Sequence, residues 1–327
     1  MEFGEDMETR QSSAEIIELN DKAASDIALF CDIAESKGAN LTLSQIIQLT
    51  SLGVDEAQLS RAWSNHEKLN AEFEIESGVV YKKGAADDPS SKLEFGERAR
   101  RASSNVDFAN RFGRYLANNN TLVLSISGST SYQSVSRHDD LDFFCILKKD
   151  RVWIFLCRAL LLARLFRSLD KKSPSICLSY VMDEDYARGE FTRPQDGLFA
   201  RDALSTMVIH GESYYNALLK ESAWMERYFR SMYASRTKHA TEEVLPRSRK
   251  PSLVTRIVNY GLYLLAGNYI RVKSHLLNRR FAREGKTDRL FKLRMGSDHC
   301  IYESVNYLEL RKKYEGLELS KQWKEIR

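Results

Sequence analysis

Residues 125–147 read SISGSTSYQSVSRHDDLDFFCIL and place a Gly-Ser pair after one apolar run and Asp-Leu-Asp at the start of the next. The two runs, Leu122–Ile126 and Leu141–Leu147, are apolar and partly β-branched, so each predicts a strand. Asp140 and Asp142 are separated by one residue, and alternate side chains of a strand point to the same side. Two ordinary strands joined by a polar loop are the simplest reading; a second reading is a site with paired carboxylates.

The carboxylate pair has a chemical use in that second reading. Asp140 and Asp142 repel each other unless a cation neutralises them, and Mg²⁺ binds through one or two carboxylates together with substrate phosphates. Gly128 lets the backbone approach a phosphate closely, and Ser129 offers a hydroxyl and an amide to hold it. A loop that returns from Gly-Ser to the aspartates would bring a nucleoside triphosphate and metal together. Two-metal nucleotidyl transfer needs this arrangement.

At these residues the chain resembles the polymerase-β-type nucleotidyltransferase superfamily, in which Gly-Ser and, some ten residues later, Asp-x-Asp lie between two strands. The flanking runs GERARRASS, RVWIFLCRALLLARLF and ICLSYVMDED look like a prokaryotic branch that couples a winged helix to this domain. The resemblance implies that Gly128 and Ser129 hold the nucleotide phosphates and that Asp140 and Asp142 bind two Mg²⁺ ions. It implies transfer of a nucleoside monophosphate from an NTP to a hydroxyl, with release of pyrophosphate.

The superfamily usually adds a third carboxylate on a later strand. Ser179 and Tyr180 stand where that carboxylate is expected, and only Asp183, at the end of the run ICLSYVMD, offers one. Asp183 is therefore the third candidate catalytic residue. The departure keeps an alternative open: a non-catalytic, nucleotide-sensing or nucleic-acid-binding regulator on the same fold. The acceptor hydroxyl is also open, and a protein side chain, an RNA 3′ end and a small molecule all fit.

The N-terminal part, residues 12–84, predicts a winged helix-turn-helix. Helical patterns cover Asp21–Ala34 and Leu43–Leu49, a third helix follows the N-cap candidate Asp55, and FEIESGVVYKKG predicts a hairpin that turns at Ser77-Gly78. The third helix, DEAQLSRAWSNHEK, carries more acids than bases, whereas DNA-reading helices neutralise phosphates. We therefore expect a structural or protein-contact role for this part rather than DNA binding.

Residues 96–235 predict the nucleotidyltransferase-like domain, an α+β mixed sheet with packed helices. After the two strands come a helix at Val152–Leu169, a strand at Ile176–Met182 and three further helical patterns. The three patterns are Leu204–Val208, Ser213–Leu219 and Trp224–Tyr233. Residues 236–327 predict a separate helical region, with helices at Val254–Ile270 and Ser304–Tyr314.

Charge divides the chain. Residues 1–95 hold eight Lys or Arg against nineteen Asp or Glu, a net of −11, whereas residues 236–294 hold fifteen against four, a net of +11. The bases at 271–294, interleaved with aromatic residues, are typical of a nucleic-acid-binding surface. A solvated basic helix pair and a surface that docks on the acidic N-terminal part are the alternatives. An anionic membrane surface is a lesser one, because VNYGLYLLAGNYIRVK combines an apolar stretch with flanking charge.

Cysteine usage and the chain start bear on the compartment. Five cysteines lie in separate apolar contexts without C-x-x-C spacing, which argues against disulfides and a zinc site and favours a cytoplasmic location. The start, MEFGEDMETRQSS, lacks the basic flank and apolar run of a signal peptide. The longest apolar run, Trp153–Phe166, is interrupted by two arginines and is too short to span a bilayer. We therefore expect no membrane span.

Overall fold

A computed structural model of the chain describes residues 19–171, 173–238, 240 and 250–314. Helices surround a mixed sheet, which confirms the predicted α+β class. The helices and strands are, in chain order, α1 (Asp21–Glu35), β1 (Leu41–Thr42), α2 (Leu43–Thr50), α3 (Glu56–Ser64), α4 (Glu67–Glu72), β2 (Phe73–Glu76), β3 (Val79–Lys82), α5 (Pro89–Leu116), β4 (Thr121–Ser127), α6 (Gly128–Ser131), β5 (Leu141–Leu147), α7 (Val152–Leu169), β6 (Ile176–Asp183), α8 (Glu184–Thr192), α9 (Gly197–Ser205), β7 (Met207–His210), α10 (Glu212–Glu221), α11 (Arg230–Thr237), α12 (Leu253–Leu262), α13 (Asn268–Arg283), β8 (Phe291–Met295), β9 (His299–Ser304) and α14 (Val305–Lys313). Short turns of 3₁₀ helix cover Ala223–Arg227 and Thr287–Arg289, and a π-helical turn at Tyr263–Gly267 joins α12 to α13.

The described part of the chain divides into two units, and residues 19–47 together with 53–87 form the first. Helices α1 and α3 begin at side-chain caps: Asn20 accepts a hydrogen bond from the backbone N–H of Ala23 at 2.8 Å, and Asp55 forms a reciprocal capping box with Gln58. Strands β1, β3 and β2 form an antiparallel sheet in that order. Ser77 and Gly78 have φ of 50° and 76°, as the tight turn between β2 and β3 requires.

These elements confirm the three predicted helices and the hairpin of the N-terminal part. The structure adds the short helix α4 and the two-residue strand β1, neither of which has enough residues for a periodic signal. Residues 12–18 of the predicted module lie outside the described residues.

The second unit takes in residues 48–52 and the described residues from 88 to 314, and it is built on a six-stranded sheet. The strand order is β7-β4-β5-β6-β9-β8, and β5 and β6 are parallel while all other neighbours are antiparallel. α7 makes the crossover that a parallel pair needs. The adjacent strands β4 and β5, predicted from residues 122–147, therefore lie at the centre of the sheet.

Helices cover both faces of this sheet. On one face, alternate residues of β5 pack with side chains of α5, α7 and α13 in a core that includes Phe112, Phe143 and Trp153. On the other face, the ring of Phe144 lies 5.8 Å from that of Phe191 in α8 and 5.9 Å from that of Tyr215 in α10. None of the helices in the described part of the chain has the length and apolar character needed to cross a membrane.

Three sequence predictions for this unit are corrected. Residues 204–208, predicted as a helix, contain the end of α9 and the start of the edge strand β7. Trp224–Tyr233, predicted as one helix, is divided between a 3₁₀ turn and α11. The region from residue 236 onward is neither all-helical nor separate, because β8 and β9 extend the sheet beyond β6. Their pairing partners are distant in sequence, so local periodicity does not reveal them.

Candidate active site

The Gly-Ser pair and the aspartates meet where β4 ends and β5 begins. Ser127, the last residue of β4, is paired with Asp142 on β5. Gly128 follows with φ +66°, and a Cβ added to it would lie 2.7 Å from Oδ2 of Asp142. Any side chain at position 128 would therefore be strained by its backbone conformation and would also collide with the carboxyl group. Glycine is what allows this backbone to lie against Asp142.

The turn after Gly128 is held by its own hydrogen bonds. The Ser131 hydroxyl donates to the carbonyl oxygen of Gly128 at 2.8 Å, and the Ser134 amide donates to the carbonyl of Ser129 at 3.0 Å. Thr130 is buried, and its hydroxyl accepts a hydrogen bond from the Asn105 side chain at 3.2 Å. Ser129 itself is half-buried at the sheet end, one residue from the Asp142 contact.

Asp142 is a half-buried carboxyl on the sheet face that Phe144 also occupies. Burial raises its pKa to about 7, and the nearby charge of Asp140 acts in the same direction. Hydrogen bonds from the Cys177 thiol and the Ser179 hydroxyl act in the opposite direction. The main cost of ionising Asp142 is thus loss of solvent, whereas the sequence argument assigned it to repulsion between the two aspartates.

Asp140 immediately precedes β5 and is exposed. Partial burial of its carboxyl group raises the pKa of Asp140. A hydrogen bond from Ser175 and the charges of Arg167 and Arg289 lower this pKa. Arg167 also donates to the Ser175 hydroxyl at 3.4 Å. The charges of two arginines thus act on Asp140, which is the exposed aspartate of the two.

Asp183 is not brought to this site. In the β5–β6 register Asp142 is opposite Cys177, whereas Asp183 is opposite Leu147 at the other end of the strand. At 3.3 Å per residue in a parallel strand, these two ends are roughly 16 Å apart. Asp183 instead caps α8 by accepting a hydrogen bond from the Tyr186 amide at 3.0 Å, and burial raises its pKa to about 6. The prediction that Asp183 is the third carboxylate of the site is therefore wrong.

The residues that face Asp142 from β6 are Cys177 and Ser179. The register of β5 against β6 shifts between Asp142 and Phe144, so β6 holds one extra residue there. The single proton of the Ser179 hydroxyl is shared between two acceptors, the Asp142 carboxyl and the Phe143 carbonyl oxygen at 3.3 Å. The sequence reading identified Ser179 only as the position without a carboxylate, and nothing in local periodicity indicated Cys177, Arg167 or Arg289.

A polar network anchors the loop that follows Gly-Ser. The Tyr132 hydroxyl donates to Asp202, and the Arg201 guanidinium lies 4.3 Å from the centre of the Tyr132 ring. Arg201 also donates to the hydroxyl of Tyr314, just after α14, at 2.7 Å. Burial raises the pKa of Asp202 to about 6. The loop is thereby tied to α9 and to the C-terminal end of the described chain.

The donor set near Asp142 is small. Among the residues that the structure describes, no group of three or more His, Cys, Asp or Glu side chains is arranged to hold a metal ion. A cavity lined by Asn120, Leu147 and Arg151 lies at the far end of β5 and does not belong to the site.

Comparisons of the chain with family models, curated proteins and solved structures find no match in any of the three.

Proposed function

We propose that this protein is a Mg²⁺-dependent nucleotidyltransferase that moves a nucleoside monophosphate from an NTP to a hydroxyl acceptor and releases pyrophosphate. The observation that carries the proposal is the close approach of the Gly128 backbone to the carboxyl of Asp142, with Asp140 beside it. A phosphate-cradling turn and a metal-binding carboxylate pair must meet in this way for the reaction.

The residues fit Mg²⁺ by their chemistry. Asp140 and Asp142 offer hard carboxylate oxygens, and Mg²⁺ is commonly held by two such groups together with substrate phosphates. Burial raises the pKa of Asp142 to about 7, and strongly shifted carboxyl groups are common at functional sites. The chemistry that bound Mg²⁺ supplies is activation of the acceptor hydroxyl and neutralisation of the leaving pyrophosphate.

The chain's own groups would orient the substrate. The Gly128–Ser129 backbone and the Ser129 hydroxyl would hold phosphate oxygens beside Asp142, and Gly128 leaves room for them because it has no Cβ. Arg167 and Arg289, whose charges act on Asp140, are placed to neutralise further phosphate charge. The network through Tyr132 and Asp202 would keep the loop in place while the nucleotide binds.

We also propose a fold for each of the two units. The order helix, short strand, three helices and a two-stranded hairpin in the first unit supports a winged helix, and the arrangement of β4, β5, α7 and β6 supports a nucleotidyltransferase-like sheet. In α3 the only charged residues are Glu56 and Arg61, so the helix is not basic. A protein-contact role for the winged helix therefore remains preferable to DNA binding.

A second candidate function rests on one observation. Ser179 and Cys177 stand opposite Asp142 where a third carboxylate would act, and Asp183 lies at the far end of the strand. A protein that binds Mg²⁺–NTP as a regulatory ligand, without transfer, would need only the Gly-Ser turn and the two aspartates. Only the transferase function requires an acceptor hydroxyl, on a protein, an RNA or a small molecule.

Calorimetric titration of ATP, GTP, CTP and UTP with Mg²⁺ tests both candidates, using the wild type, Asp140→Asn/Asp142→Asn and the control Asp139→Asn. Asp139 is adjacent but only accepts hydrogen bonds from Ser136 in an exposed turn. Binding by wild type and control but not by the double variant supports the site. Absence of binding to wild type refutes it. Binding without pyrophosphate release in the presence of protein, RNA and small-molecule hydroxyl acceptors selects the regulatory candidate.

A further inference from the structure

A long apolar face is exposed on α12 and α13. Of the large apolar side chains that are exposed in the described part of the chain, ten lie between residues 253 and 276. Leu265 is 75 % exposed and Val272 is 61 % exposed. The ten are Leu253, Val254, Ile257, Val258, Tyr260, Leu264, Leu265, Tyr269, Val272 and Leu276. Contiguous apolar surface of this kind marks an interaction site.

The helices that carry this face are held in place by their opposite side. Asn259 is buried; its side chain accepts a hydrogen bond from the Trp153 amide at 2.8 Å and donates to the Ser297 carbonyl at 3.0 Å. The rings of Trp153 and Tyr263 are 5.3 Å apart, and Ile270 belongs to the core of the sheet. The exposed residues therefore lie on the outer side of helices whose inner side packs against the rest of the unit.

α7 adds to this outer surface. It packs against the same side of the sheet and against α12, and Leu161, Leu165 and Leu169 are exposed at 64, 51 and 78 %. Because both helices lie on one sheet face, both sets of side chains point away from the sheet on that side. The exposed apolar surface therefore includes α7 as well as α12 and α13, and it is broader than a single stripe.

Charge specifies the partner. From residue 253 to 283 the chain contains no Asp or Glu and six Lys or Arg. Lys273 flanks the apolar stripe, and Arg279 and Arg283 continue it beyond Leu276; all three are exposed. A second copy that packed the same face would bring these bases against one another, which is unfavourable. The partner must combine apolar and anionic character.

We propose that α12 and α13 dock on the surface of an anionic lipid bilayer, with α7 beside them. The stretch from 253 to 276 is about 36 Å long at 1.5 Å per residue and would lie in the interface, with its apolar face among acyl chains and the bases at the headgroups. Tyr260 and Tyr269 suit that depth because each has an apolar ring and a polar hydroxyl. RNA would engage the bases but leave the apolar residues in water. This proposal is independent of nucleotidyl transfer.

Vesicle flotation with the full chain tests the proposal, using phosphatidylcholine vesicles with and without 30 mol % phosphatidylserine. We expect binding to the anionic vesicles that weakens with salt. Leu265→Asn/Val272→Asn should weaken it at least about tenfold, since each apolar side chain contributes on the order of 1 kcal/mol. Lys273→Gln/Arg279→Gln/Arg283→Gln should weaken it about 100-fold at low salt, at about 1 kcal/mol per base.

Matched controls lie elsewhere on the same unit. Leu93→Asn removes an exposed apolar residue near the start of α5, and Lys220→Gln removes an exposed base of α10, which packs on the opposite face of the sheet; both variants should bind as wild type does. Absence of binding to anionic vesicles overturns the proposal, as does equal loss in the controls. A dimer in light scattering that Leu265→Asn/Val272→Asn dissociates would assign the face to a second copy. Binding to RNA that only the base variants weaken, with no vesicle binding, would assign the bases to nucleic acid.

Discussion

Replacing Asp142 by Asn should stabilise the protein above neutral pH. Burial raises the pKa of Asp142 from 3.8 to about 7, so the folded state holds the proton more tightly than the unfolded state does. Ionisation then favours unfolding as pH rises from 4 to 7, and the difference in pKa corresponds to about 4 kcal/mol above pH 7. Asn carries no charge and escapes this cost, although its side chain offers one acceptor oxygen to Cys177 and Ser179 where the carboxylate offers two.

The expected gain in unfolding free energy is therefore about 1–4 kcal/mol at pH 8 and below about 1 kcal/mol at pH 4, where the folded wild type is protonated and the unfolded carboxyl, with its pKa of 3.8, is about half ionised. Urea unfolding followed by tryptophan fluorescence at both pH values measures it, because Trp153 and Trp224 lie in the same unit as the site. Mg²⁺ should reduce the difference in unfolding free energy between Asp142→Asn and wild type at pH 8, because it should stabilise the wild type alone.

Asp139→Asn is the matched control, since it removes a neighbouring charge from an exposed turn without relieving burial. Its gain at pH 8 should be small, since the charge of Asp139 raises the pKa of Asp142 much less than burial does. A variant Asp142→Asn that is less stable than wild type at pH 8 would mean that the Cys177 and Ser179 hydrogen bonds to a carboxylate hold the sheet end together. The inference of a ligand-binding carboxyl would then be wrong.

Three further predictions concern the same site. Gly128→Ala should destabilise the protein by about 1–3 kcal/mol and abolish nucleotide binding in calorimetry, because it combines a positive φ with a collision against Asp142; wild-type stability would contradict the backbone geometry. Asp183→Asn should leave the affinity for Mg²⁺–NTP within about twofold of wild type, since the residue is roughly 16 Å from Asp142; loss of binding would return it to the site. Arg289→Gln should weaken NTP binding about tenfold by removing positive charge near Asp140, whereas Lys286→Gln, whose ammonium pairs with Glu284 at 2.6 Å, should not; equal effects would indicate nonspecific electrostatics.

Several elements could be predicted from the sequence because their signals are local. β5 and α7 begin and end where periodicity and polar boundaries place them, at Leu141–Leu147 and Val152–Leu169. The hairpin turn follows from Ser77-Gly78, since few residues adopt positive φ. The pairing of Gly128 with the two aspartates was also predictable, because only a short loop separates the two strand ends that carry them.

The tertiary structure alone decided which residues complete the site. Ser179 and Cys177, rather than Asp183, face Asp142 because of the β5–β6 register and its extra residue, and a shift of register by one reverses the side to which every strand residue points. Likewise, β8 and β9 joined the sheet through pairing across more than a hundred residues, which brought Arg289 to Asp140. Local periodicity specifies which residues form a strand, but the partner and register of that strand depend on packing along the whole sheet.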